Sequence, residues 1–177
     1  AFNAGFHVAR GRYVLLHDSD IVVPKDYIRS VVERLERGWD TIRPIRFLFH
    51  LEPDDSIAFM RAPCTVRPRA VQLIQQNCPG WSTAMTREAY AAIGGHDEDF
   101  EGWGGEDVEF FDRLQLTQCY QGGYLPAAHL WHEPAPQKAN GHANVSLLRR
   151  KLMVPPEDRT GRLVEELSNK TSLIMNV

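Results

Sequence analysis

The chain has 177 residues, 43% of them hydrophobic, and a formal net charge of −3. That is enough apolar material for one globular domain, and too little positive charge to capture nucleic acid or an acidic membrane surface. No apolar run is long enough to span a bilayer, and Asn3, His7, Arg10 and Arg12 break up the opening stretch where a secretory leader would be continuous.

In chain order, "AFNAGFHVARGRY" is helix-like but has no preceding strand to pack upon, as if the sequence began inside a domain. "YVLLH" (13–17) reads as a short buried strand. Pro24 and Asp26 then introduce a helix whose apolar positions Tyr27, Ile28, Val31, Val32 and Leu35 recur at helical spacing before Gly38 ends it. "TIRPIRFLFHL" (41–51) reads as a strand, and its proline places it at a sheet edge. "EPDDS" reads as a turn, and 67–77 admits a short helix. "GWSTAMT" reads as a strand leading into the helix "REAYAAI", which stops at Gly94-Gly95. A glycine-rich loop, a helix over 106–119 and a last strand in "GGYLPAAHLW" follow. The proline- and glycine-rich 132–142 reads as a mobile loop, and two amphipathic helices, 143–153 and 160–172, finish the chain. Alternating strands and helices predict an α/β sandwich with a mixed, mostly parallel sheet. Cys64, Cys78 and Cys119 are an odd number without metal-type spacing, which argues against a disulfide framework or zinc site and for a reducing compartment.

Three stretches carry chemistry. In "HDSDIVVP" Asp18 and Asp20 sit two apart, so on an extended backbone both carboxylates face the same way. Two such groups repel unless a cation or donors lie between them, and the end of a strand is where open α/β sheets bind ligands. A solvated turn capping the helix after Pro24 explains the pair equally well. In "EDFEGWGGEDVEFFDRL" Trp103 is flanked by glycines, while Glu106 and Asp107 open a helix, where the helix dipole alone is reason enough for acids. That dipole weakens Asp107 as a base unless burial or a carboxylate neighbour, Glu106 or Glu109, lifts its pKa. In "HLWH", His129 and His132 are three apart and face opposite sides of a straight strand. Both reach one ion only if the chain bends near Trp131.

Taken together, "NAG…ARG" (3–11), "LLHDSDIVVP" (15–24), "GWSTAMTREAYAAIGGHDEDFEGWGGEDVEFFDRL" (80–114) and "HLWH" (129–132) resemble the GT-A glycosyltransferases. The likeness is to the group holding Golgi-type galactosyltransferases, polypeptide N-acetylgalactosaminyltransferases and bacterial chondroitin-type polymerases. It covers roughly residues 1–145, with "GWGGED" its most specific part. The resemblance implies a GT-A (Rossmann-like) three-layer α/β/α fold lacking the N-terminal nucleotide-binding β-α-β part, with 1–145 the rest of the catalytic domain and 146–177 a helical extension. It implies that Asp20 and His132 ligate a divalent ion, manganese or alternatively magnesium. Asp18 would hold the donor's ribose or the same ion, and His129 falls where galactosyltransferases place another ligand. Asp107 matches the general base of inverting members, and Trp103, Gly104, Gly105 and Glu106 match the loop that meets donor and acceptor. His17 stands where relatives carry aspartate or an apolar residue and receives no role.

The expected activity is therefore metal-dependent, inverting transfer of a hexose-type sugar from a nucleotide-diphosphate donor of the uridine type to a glycan hydroxyl in polysaccharide synthesis. The expected partners are that donor, a glycan acceptor and further domains of a longer polypeptide, in a cytoplasmic setting with membrane attachment through other parts. A metal-dependent phosphohydrolase or pyrophosphorylase, or a non-catalytic folded fragment, are the competing readings.

Overall fold

Eight strands and seven helices alternate along the described residues of a computed structural model, which are 2–62, 71–121, 125–134 and 142–175. The strands are β1 (Tyr13–His17), β2 (Ile21–Val22), β3 (Thr41–Ile42), β4 (Ile45–Leu51), β5 (Val71–Gln76), β6 (Ser82–Thr86), β7 (Cys119–Tyr120) and β8 (Leu125–His129). The helices are α1 (Phe2–Val8), α2 (Tyr27–Glu36), α3 (Pro53–Arg61), α4 (Arg87–Ala92), α5 (Glu106–Leu114), α6 (His142–Leu152) and α7 (Pro156–Met175).

The strands form two sheets, β1-β6-β3-β7 and β2-β8-β4-β5. The chain therefore crosses from one sheet to the other five times, after β1, β2, β3, β5 and β7. Two of these crossings, 18–20 and 77–81, lie side by side, because the Asp18 N–H donates to the Trp81 carbonyl at 2.9 Å. The α/β class and the mixed sheet match the sequence reading, but the balance of directions differs. Only β3–β7 and β4–β8 pair in parallel among the described residues, and the other four pairings are antiparallel. Antiparallel strands need no helical crossover between neighbours, so alternation along the chain does not fix their direction.

Other local expectations are corrected. Neither β3 nor β4 lies at an edge; Pro44 falls in the link between them, where its missing N–H breaks no ladder bond. "EPDDS" is the start of α3, because Pro53 at the first helical position with Asp54 and Asp55 in the first turn is also a helix-start signal. Residues 71–76 form β5, paired antiparallel with β4, so strand pairing overrides whatever helical tendency the segment has. Helix α5 stops at Leu114 and α7 begins at Pro156, while β7 is too short to leave a periodic trace. Most of the expected 132–142 loop lies outside the described residues, as does Cys64. Cys78 and Cys119 are free thiols, and burial pushes that of Cys119 up to about 11.

Two apolar clusters hold the body together. One joins α1, β1, β6, α4, α5 and α7 through Phe6, Met85, Tyr90, Phe110, Leu114 and Leu167. The other packs α2 on both sheets through Tyr27, Val31, Leu35, Ile42, Leu48 and Ala127. Full burial of such side chains contributes about 1.5–3 kcal/mol each.

A buried polar network ties α5 to α7. Arg113, fully enclosed, bonds Glu109 at 2.7–3.1 Å and donates to the Ile93 carbonyl. Arg159 of α7 adds bonds to Glu109 and Asp112 and donates to the Val154 carbonyl at 3.0 Å. Charges this deep persist only when fully paired. Glu109 is committed to this network and is therefore not the carboxylate neighbour of Asp107. No described helix is long and apolar enough to cross a membrane.

Candidate active site

Strand pairing brings the early and late motifs together. Ile21 of β2 faces His129, the last residue of β8, and Leu130 N–H donates to the Asp20 carbonyl at 2.8 Å. Beyond β8 the chain leaves the sheet, and Trp131 N–H donates to Ser56 Oγ of α3 at 2.7 Å. This is the bend that lets residues three apart share a target. As a result Asp20 Oδ2 lies 3.4 Å from His129 Nε2 and 3.1 Å from His132 Nε2. All three ligand atoms fall within 4.8 Å of one another.

The imidazoles are oriented for this. His132 Nδ1 lies 2.7 Å from the Glu133 carbonyl, which can only accept, so Nδ1 carries a proton and Nε2 is the nitrogen turned toward Asp20. Burial lowers the His129 pKa against the pull of Asp20, and the stacked His50 ring, 4.4 Å away, adds to the lowering. One carboxylate and two imidazoles form a mixed oxygen–nitrogen set. It suits a divalent transition ion better than magnesium, which prefers oxygen alone.

Beside this cluster is a pocket lined by His17, Asp18, Gly80, Trp81, Asp107 and Phe111, among others. Burial, then the charges of Glu106 and Asp18, raise the Asp107 pKa from its ordinary 3.8 to about 6. Asp18 is raised too, by burial first and then by Asp20. Glu106 is the carboxylate neighbour that overcomes the dipole, and its Oε2 is buried with no hydrogen-bond partner among the described residues. Behind the pocket His96 stacks on Phe110 at 4.0 Å, and burial pushes its pKa down to about 3, so it is a neutral wall.

Trp103 is 48% exposed, on the loop leading into α5, whose Gly104 and Gly105 have φ of 103° and 93°. The loop is held from α6, where Asn144 Nδ2 donates to the carbonyls of Glu101 and Trp103 at 2.9 and 3.1 Å. Lys151 and Arg162 grip the preceding Asp97 and Asp99.

His17 has a role that residue spacing did not disclose. Its Nε2 lies 3.1 Å from the Ile21 carbonyl and its Nδ1 lies 3.0 Å from Ser82 Oγ. The carbonyl can only accept, so Nε2 donates to it, while Nδ1 is bonded to the Ser82 hydroxyl, which is bonded in turn to the Tyr27 hydroxyl. Next to it, Trp81 has φ 65°, unusual for a bulky side chain, and Ser82 N–H closes a three-residue turn onto the Gly80 carbonyl at 2.9 Å. Backbone of this kind costs on the order of 1–3 kcal/mol and concentrates at functional sites.

Comparison with known families assigns this mixed α/β domain to the GT-A glycosyltransferase class. The family model described as "Glycosyl transferase family 2" matches residues 1–94, more than half of the chain, and the chain belongs to that family. The model described as "N-terminal domain of galactosyltransferase" matches residues 63–128. No curated protein matches in sequence comparison. Among solved structures, the catalytic domain of a Drosophila beta1,4galactosyltransferase 7, in complex with xylobiose, is similar at 19% identity and TM-score 0.46, over 77% of this chain and 56% of that one. A mycobacterial protein is similar at 15% identity and TM-score 0.44, over 86% of this chain and 50% of that one. The chain thus spans about half the length of each.

Proposed function

We propose that these residues form the ion-binding and acceptor-activating part of an inverting glycosyltransferase that uses a nucleotide-diphosphate sugar, of the uridine type, and a glycan hydroxyl. The observation that carries this reading is the meeting of Asp20, His129 and His132 beside a pocket containing Asp107. Asp20, His129 and His132 would hold the ion, with manganese favoured by the mixed donor set. When bound, such an ion neutralises charge on the departing diphosphate, an effect worth several kcal/mol.

The remaining chemistry falls to the chain itself. With a pKa of about 6, Asp107 is ionised at neutral pH yet basic enough to take a proton. It accepts the proton of the acceptor hydroxyl as that oxygen bonds to the anomeric carbon. The bond from that carbon to the diphosphate breaks, and its electron pair leaves with the phosphate oxygen. Attack opposite the leaving group inverts the centre. Asp18 orients the donor, and the exposed Trp103, on the loop leading into the helix of Asp107, offers an apolar face to a sugar ring.

A phosphohydrolase would use the same ion cluster but needs no acceptor. Incubating the protein with uridine-diphosphate sugars, with and without a glycan acceptor, tests the reading. Transfer to glycan that is abolished in Asp107→Asn is expected. Acceptor-independent release of nucleotide, untouched by that substitution, would overturn it.

A further inference from the structure

The turn that leads into β6 touches three separate parts of the site with three successive residues. Gly80 lies against the Asp107 carboxylate so closely that a Cβ there would sit 2.5 Å from Oδ2. The Trp81 carbonyl takes the Asp18 N–H at 2.9 Å. Ser82 Oγ is bonded to His17 Nδ1, and His17 Nε2 donates in turn to the Ile21 carbonyl. The Asp18–Asp20 loop is therefore held at both ends by one short turn, directly at Asp18 and through the imidazole at Ile21. The same turn abuts Asp107 on its other side. Trp81 keeps its left-handed backbone at the centre of this arrangement.

We propose that Gly80-Trp81-Ser82 and His17 form a positioning clamp. It fixes the loop carrying Asp20 relative to Asp107, and so presets the ion site before any ligand arrives. The proposal rests on the ion-site reading above and adds to it residues that touch neither the ion nor the reacting atoms. One direction is fixed by chemistry: the Ile21 carbonyl can only accept, so His17 Nε2 carries the proton that holds that end of the loop. Outer partners of this kind typically change metal affinity by about 10–100-fold.

Manganese titration followed by electron paramagnetic resonance tests the clamp. Ser82→Ala and His17→Leu are each expected to weaken manganese binding by about tenfold or more, with His17→Gln recovering part of the loss because its amide both donates and accepts. Tyr27→Phe keeps both clamp bonds. It should lower the melting temperature while leaving manganese affinity within about twofold, which separates positioning from general stability. Nitrogen-15 spectra of the wild-type protein should report His17 Nε2 carrying a hydrogen-bonded proton, a readout that needs no variant to fold. Unchanged manganese affinity in both Ser82→Ala and His17→Leu, or a His17 Nε2 without a proton, would overturn the clamp alone. A wild-type protein that takes up no manganese would overturn the ion reading and the clamp with it.

Discussion

Gly80 and Asp107 are in such close approach that a single methyl group on the glycine would collide with Oδ2 of the carboxylate. Gly80 also has φ 86°, so Gly80→Ala carries both a backbone penalty and a displaced Asp107. The expected loss of stability is about 1 kcal/mol or more, together with a fall in kcat. Gly104→Ala is the control. It shares the left-handed backbone, at φ 103°, but its Cβ meets nothing within 4 Å, so it should cost stability without reaching Asp107. Melting curves and turnover of the two variants separate these effects.

Replacing Asp107 by asparagine should reduce kcat by about 10²–10⁴-fold, the usual range for a general base, while donor affinity stays close to wild type. In the wild-type protein the acid limb of kcat/KM should fall near pH 6, because activity needs the ionised carboxylate. Initial rates across pH, with calorimetric donor binding on both proteins, check this.

The same pKa has a consequence for stability. The folded protein holds the Asp107 proton up to about 6 while the unfolded chain releases it near 3.8. Between these values the folded state binds more protons, so this contribution is complete at low pH and is lost as pH rises through the window. Asp107→Asn should therefore be the more thermostable protein at neutral pH, with the advantage vanishing in acid. Paired melting temperatures across that range test the sign.

Removing an imidazole from the ion cluster should be costly for metal uptake. His132→Ala and His129→Ala are each expected to weaken manganese binding by more than the ~10–100-fold typical of an outer partner. Magnesium should bind more weakly than manganese in the wild type, given two nitrogen donors. Competition titrations with both ions provide the check.

Far from the pocket, Arg159→Met should destabilise strongly. It leaves Glu109, fully buried, with only Arg113, and frees Asp112. Loss of one member of a buried charged group typically costs about 3–5 kcal/mol. Chemical denaturation measures it, and a loss under about 1 kcal/mol would mean that solvent reaches the network.

Much of this site could be read from residue order, because D-x-D, "GWGGED" and "HLWH" each mark a strand end or helix start. What residue order could not supply was proximity. That Ile21 faces His129 is a matter of strand pairing, and with the bend held at Trp131 it brings His129 and His132 together at Asp20. Likewise His17 and Ser82 lie 65 positions apart and meet only because β1 and β6 pair at that point. The misread segments failed for a local reason. "EPDDS" carries residues that begin either a turn or a helix, and the strand "VQLIQQ" is chosen by its partner β4 and not by its own composition.

The grip of α6 and α7 on the Trp103 loop bears on how this domain can be recombined with its relatives. A fusion joint placed after residue 145 would keep Asn144 but cut α6 itself and remove Lys151, Arg159 and Arg162, which anchor Asp97, Asp99 and Glu109. Chimaeras intended to exchange acceptor preference should move the 97–114 segment and the two terminal helices as one block, since each half is shaped to the other.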